Sequence, residues 1–230
     1  MKKKISIPKK YSTLIVQFVF IFAAVFLSFL ADDYREYLNT RAMERESLEG
    51  VYEDLKMDSL SIKRVIGINM HIEKAGLKLL KMVDSENIQA DSVEVYFQSL
   101  LLGESYQSNK SHYEALKHSG SIQEIRNISL RNKLTDYYEQ GINWISYFSD
   151  LYIGRYFTFV NDIKPFLKIR PGSKRLYEVK LTDENYMLND PLWQNSLGET
   201  VGLVRVRISA LQALSEEIDR LRQMIRQELD

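Results

Sequence analysis

From Leu14 to Ala31 the apolar positions run almost unbroken, with only Gln17 and Ser28 polar. A run of about 18 residues makes roughly 27 Å of helix, close to the hydrocarbon thickness of a bilayer. The apolar run stops at Asp32, and from Tyr34 to Glu46 the stripe is thin, which predicts an exposed, charged neck. Beyond it Leu48, Tyr52, Leu55, Ile62 and Ile66 step by threes and fours, and Val65, Ile68, Ile72, Leu79 and Val83 continue a shifted stripe. No proline lies between Pro8 and Pro165. The pattern therefore predicts one helix from about Tyr11 to about Val83, with Gly50, Gly67 and Gly76 as weak points costing about 1 kcal/mol each against alanine.

Two short helices follow. The first sits in "DSVEVYFQSLLLG", with Asp91 or Ser92 as its cap and Gly103 as its stop. The second is "SHYEALKHSG", ended by Gly120. Asn127 is placed to cap a long element in which Leu134, Tyr138, Ile145, Phe148, Tyr152, Phe159, Ile163 and Phe166 share a face. Gly141 lies on the same seam, where it lets a partner helix approach. Its stretch "WISYFSDLYIGRYFTFV" is apolar enough to raise a second span, but Asp150 and Arg155 make a core helix the better expectation. The segment from Lys168 to Ser196 is irregular; "RLYEVKL" alternates like a strand but has no evident partner. Asn189 or Asp190 before Pro191 starts a final helix. There Leu197, Val201, Val204, Ile208 and Leu211 step 4-3-4-3, and Leu214, Ile218, Leu221 and Ile225 resume after a three-residue slip of the kind that overwinds a coiled coil.

The expected fold is all-α: an N-terminal transmembrane helix continuing into a long helix, packed with two further long and two short helices as an elongated bundle. The expected organisation is a basic cytoplasmic N-terminus over 1–10, a transmembrane helix over 11–31, the neck over 32–47 and an extracytoplasmic bundle over 48–230. Charge enters through orientation. Lys2, Lys3, Lys4, Lys9 and Lys10 precede the span with no acid among them, which keeps that end in the cytoplasm. The expected location is thus the bacterial inner membrane, with the bundle on the periplasmic side. A secretory signal has a shorter core and small residues before the cut, whereas Phe29 is bulky there, so a retained anchor is expected over a cleaved signal.

Lys plus Arg equals Asp plus Glu at 31 each, so no global field draws in nucleic acid. The absence of cysteine removes disulfides, thiolate nucleophiles and zinc–thiolate sites. Glu114 and His118 share a helix face but lack further ligands, and no Glu-x-x-His suggests a di-iron bundle. The acids of "ERESLEGVYEDLKMD" read as a solvated helix face. Arg155, between Tyr152 and Phe159, is expected to reach out to solvent. Phosphate-loop, dinucleotide and nucleophile-elbow motifs do not occur. The candidate site is "RPGSKR", where Arg170, Lys174 and Arg175 can touch an anion or lipid headgroup. No catalytic, cofactor-binding or metal-binding residue is assigned, and no small-molecule ligand is identified.

The stretch "YEALKHSGSIQEIRNISLRNKLTDYY", behind a span that feeds a charged helix, resembles a family of uncharacterised small single-pass bacterial membrane proteins, classed as a domain of unknown function. Tyr113, Leu116, Ser119, Gly120, Ile125, Asn127, Leu130, Leu134, Tyr137 and Tyr138 carry the resemblance. Asp33, Tyr34, Arg35 and Glu36 depart from the Trp-Asn-Glu-like stretch usual after the span. The resemblance implies the architecture and no activity. The functional expectation is a non-enzymatic, membrane-anchored interaction or scaffold module. It would self-associate or join a cell-envelope assembly; the alternative is an extracytoplasmic ligand-sensing bundle acting through a partner.

Overall fold

The computed structural model describes residues 9–173 and 176–230, with side chains from residue 16 onward. The fold is an all-α bundle with one small hairpin. The chain divides into two compact units, Met1–Leu48 and Glu49–Asp230.

The first helix, α1, runs Lys9–Asp84. Its described N-terminal part is long and apolar enough to cross a membrane, and that apolar window is wholly unburied. In the first unit Phe22 and Phe26 stack one turn apart, Arg35 pairs with Asp32 at 3.9 Å, and Arg41 pairs with Glu44.

In the second unit the heptad-like stripe of α1 is buried at Val51, Leu55, Ile62, Val65, Ile72 and Leu79. The glycines do not break the helix, and two of them mark close approaches. A Cβ on Gly50 would lie 2.3 Å from the His112 ring, and one on Gly76 would lie 2.4 Å from Val201 Cγ2, so both positions exclude a side chain. At Gly67 the space is open.

Helix α2 spans Ala90–Leu100. Its N-cap is Gln89, in extended conformation and without a side-chain cap, rather than Asp91 or Ser92, and it stops at Leu100, ahead of Gly103. Helix α3 spans Ser111–Ser119 and ends on Gly120 at φ +79°. A 3-10 turn over Ser121–Glu124 tucks Ile125 inside at 1% exposure. Asn127 then caps α4, Ile128–Asp136, by accepting from the Leu130 amide at 3.0 Å.

The long element after Asn127 is not one regular helix. Between α4 and α5 (Ile142–Ile163) the chain takes a π turn over Tyr137–Gly141. The widened turn holds one residue more than an α turn, and adjacent Tyr137 and Tyr138 are both buried at 2% exposure. Gly141 lies against the final helix, where a Cβ would sit 3.1 Å from Leu214 Cδ1.

The "RLYEVKL" strand does have a partner. Strand β1, Leu167–Pro171, pairs antiparallel with β2, Tyr177–Leu181, with Ile169 opposite Val179. Helix α6 spans Glu184–Asn189, capped by Asp183. Helix α7 spans Pro191–Leu229, with Asp190 accepting from the Leu192 amide and proline in the first turn. All nine stripe residues from Leu197 to Ile225 are buried. One core joins Ile72 and Leu79 of α1, Phe97 of α2, Phe159 of α5 and Trp193 of α7. The Trp193 indole donates to the Met187 carbonyl at 2.8 Å.

Candidate functional site

Two aspartates of α1 correct the expectation of a solvated acidic face. Asp54 and Asp58, four residues apart, are only 3% and 2% exposed. They lie on the edge of the buried stripe, and donors from distant segments cover them. Asp58 accepts from the Ser108 hydroxyl at 2.6 Å, the Asn109 amide at 2.8 Å and the Tyr137 hydroxyl at 2.9 Å. Asp54 accepts from the Asn109 side chain at 2.7 Å, the Ser111 hydroxyl at 3.3 Å and the His112 amide at 3.0 Å, and His112 Nδ1 stands 3.0 Å from it. Asp54 therefore caps the first turn of α3 from another helix, a tertiary version of an N-cap. With their lone pairs this occupied, both acids act as clasps that hold the Ser108–His112 corner on α1, rather than as a base or a metal cradle.

Aromatic hydroxyls close the clasp. Tyr106 and Tyr137 hydroxyls meet at 3.1 Å, and the Tyr138 ring stacks on Tyr113 at 4.3 Å. Burial, reinforced by the nearby Asp58 charge, holds the phenols of Tyr106, Tyr137 and Tyr138 well above the usual tyrosine range. The corner rests on buried supports: Tyr113, Leu116, Ile125, Leu130, Leu134, Tyr137 and Tyr138 are all buried.

A buried cation lies further along. Arg207 is 2% exposed and donates to Asn69 Oδ1 at 3.2 Å and the Glu104 carbonyl at 2.7 Å. Its guanidinium stands 5.2 Å from the Tyr152 ring centroid. Burial pulls its pKa down, and burial pushes the Tyr152 phenol up to about 12. Sequence reading passed over Arg207, because "RVRIS" offers two arginines and only the 4-3 phase puts the second one inside.

The expected anion or lipid site is described in one residue. Arg170 is the penultimate residue of β1, opposite Glu178, whereas Lys174 and Arg175 lie outside the described residues. Glu178 also takes the Ser173 amide at 3.3 Å, so the loop's own acid occupies a donor that an anion would use. Among the described residues no three His, Asp or Glu side chains gather to hold a metal. His118 is exposed in the last turn of α3, and His71 meets the Ser99 hydroxyl at 3.1 Å.

A groove of about 820 Å³ runs between α5 and α7, lined by Tyr147, Leu151, Gly154, Gly202 and Leu203 together with the polar Asp150, Arg155, Thr158 and Glu199. Arg155 lies here and pairs with Glu199 of α7, so its head is held by a carboxylate instead of simply reaching water. Trp144, 61% exposed, continues the wall towards a second hollow against Ala210 and Ala213. Trp144 stacks on Tyr147 at 5.7 Å and meets Phe148 edge-on at 5.2 Å, which fixes the rings in place without covering them. The stripe expected from the sequence is buried at Leu134, Tyr138, Ile145, Tyr152, Phe159, Ile163 and Phe166 and half-buried at Phe148, while Trp144, Tyr147 and Leu151, which lie off it, are outside.

No family model, curated protein or solved structure matches the chain.

Proposed function

We propose that the protein is a non-catalytic, membrane-anchored helical interaction module of a bacterial cell envelope, with its N-terminus in the cytoplasm and its bundle on the periplasmic side. The observation that carries the reading is the α5/α7 groove, with Tyr147 in its wall and the exposed Trp144 stacked beside it. Soluble monomers rarely expose large contiguous apolar patches, and those that persist mark interaction surfaces. The apolar N-terminal part of α1 supports the anchor, and the lysines before it support the orientation.

The test is crosslinking in intact cells with a tagged full-length chain, followed by recovery from native membranes. Recovery of a protein partner or of the chain's own oligomer is expected. A strictly monomeric chain with no crosslinked partner would refute the module. Protease added to spheroplasts should digest the bundle; full protection would reverse the orientation.

A further inference from the structure

We infer that Arg207 is the centre of a buried site for a monovalent inorganic anion of chloride size, closed by the hydroxyls of Ser149 and Tyr152; this site does not depend on the interaction-module reading above. Asn69 occupies a core position of α1, with Val65 and Ile72 buried a turn to either side. Ser149 occupies one on α5 between Ile145 and Tyr152, and Arg207 one on α7 between Val204 and Leu211. Gly141 lies against Leu214 and Arg155 pairs with Glu199, so α5 and α7 run antiparallel. Arg207, about midway between Glu199 and Leu214, therefore comes level with Ser149, about midway between Gly141 and Arg155. Three helices thus place polar side chains in one layer of the core.

The layer carries a charge that no acid answers. A guanidinium stays protonated in proteins, and a buried charge without a counter-charge is costly. Arg207 gives its terminal nitrogens to two neutral acceptors, Asn69 Oδ1 and the Glu104 carbonyl. The Asn69 amide nitrogen donates to the Val65 carbonyl at 2.7 Å, which turns its oxygen towards Arg207 and brings no charge. The acids nearby are engaged elsewhere. The Glu104 carboxylate pairs with Arg64, and Glu73, one turn beyond Asn69, pairs with Arg205.

Three polar atoms of this layer are buried without a protein hydrogen-bond partner: Arg207 Nε, Ser149 Oγ and Tyr152 Oη. Each has a hydrogen to donate. A helical serine can bond back to the carbonyl four residues earlier, as Ser146 does to Ile142 at 3.1 Å on the same helix, but Ser149 does not. The Tyr152 ring stands 5.2 Å from the guanidinium, which keeps its hydroxyl in the same layer. Burial pushes that phenol up to about 12, so at neutral pH it is a donor and not a counter-ion. One positive charge and three free donors call for one negative charge. A water molecule would take the donors and leave the charge unanswered, and a divalent oxyanion would invert it. A monovalent ion satisfies both.

The test is thermal unfolding of the full-length chain in detergent at fixed ionic strength, with gluconate, too bulky for the layer, replaced stepwise by chloride. The midpoint is expected to rise with chloride, and the unfolding constant to fall about tenfold for each tenfold rise in chloride above the dissociation constant. Ser149→Ala removes one donor at nearly constant volume and should weaken chloride binding about tenfold, the loss of one hydrogen bond to a charged group. Arg207→Met should abolish the dependence; if that variant does not fold, Ser149→Ala carries the comparison. Bromide soaked into crystals should give an anomalous peak against the Arg207 guanidinium. A parent midpoint indifferent to the exchange overturns the inference. So does a chloride dependence unchanged in the variants, which is a general salt effect. A bromide peak without any stability dependence marks an adventitious ion only, and water alone against the guanidinium in bromide-soaked crystals defeats the site.

Discussion

Tyr137 donates its phenolic hydrogen to Asp58 Oδ2 across 2.9 Å, joining the π turn to α1 over 79 positions of sequence. Neither group has an alternative in water: both residues are 2% exposed. Hydrogen bonds to a charged group contribute about 1.5–3 kcal/mol. Tyr137→Phe should therefore lower unfolding stability by about 2 kcal/mol in a urea titration followed by circular dichroism. In an Asp58→Asn background the same change should cost clearly less, because the charge that strengthens the bond is gone. Equal costs in both backgrounds would show that the hydroxyl packs without bonding.

The glycines of α1 should answer substitution with opposite signs. Gly67→Ala meets open space and should stabilise by up to about 1 kcal/mol through helix propensity. Gly76→Ala places a methyl 2.4 Å from Val201 Cγ2, so overpacking of about 1–3 kcal/mol outweighs that gain. Val201→Ala combined with Gly76→Ala should recover part of the loss, read as a shift in thermal midpoint.

Arg207 is a buried cation whose hydrogen bonds go to neutral acceptors, Asn69 and the Glu104 carbonyl. Replacing buried ionic groups by well-packed apolar ones of similar volume is often neutral or stabilising. Arg207→Met, however, strands the Asn69 Oδ1 and the Glu104 carbonyl and should cost about 1–3 kcal/mol, Asn69→Leu added to it should recover part of that, and Arg207→Ala, which leaves a void as well, should cost about 3 kcal/mol or more. A loss for Arg207→Met that Asn69→Leu leaves unmoved would make the guanidinium itself the structural element.

Alkaline titration should proceed in two stages. Tyr52 is drawn below the usual tyrosine value, first by its hydrogen bond from Arg222 and then by that from Arg226, and should ionise early. Burial raises Tyr106, Tyr137, Tyr138 and Tyr152 in the folded chain above the unfolded value of about 10. Their neutral forms favour the fold, so this stability is complete below about pH 10 and is lost as pH rises further. Absorbance at the phenolate band should rise for the exposed rings first, and then jump together with loss of circular dichroism. A single smooth titration of all 14 tyrosines would contradict the buried cluster.

What was legible in the sequence was what local chemistry decides. The 4-3 stripe of α7, the left-handed Gly120, the Asn127 cap and the Asp190–Pro191 start each follow from neighbours within a turn or two. What was missed depends on distant partners. Asp54 and Asp58 look like surface acids until Ser108, Asn109 and Tyr137 arrive to cover them. The β1 strand hides because Pro171 and Gly172 read as loop, and only the return strand gives its alternation a partner. Trp144 and Tyr147 fall off the core stripe in the sequence and the angle of α5 does turn them outside, but the groove beside them hides because it forms only where α7 brings Glu199, Gly202 and Leu203 alongside.

That angle is set upstream, at Tyr137–Gly141. An α-helix advances 100° per residue, so the extra residue held in the π turn is a phase offset for everything C-terminal to it. A single-codon deletion there would close the turn to a regular helix and leave the inward face of α5 where it is, whereas straightening the turn with every residue kept would rotate α5 by about 100°. Ile145 and Tyr152 would then swing away from the core, while the Trp144 ring face would turn towards it. The widened turn is thus a slack link, which lets a segment one residue too long for its core keep its apolar side in and its exposed rings out.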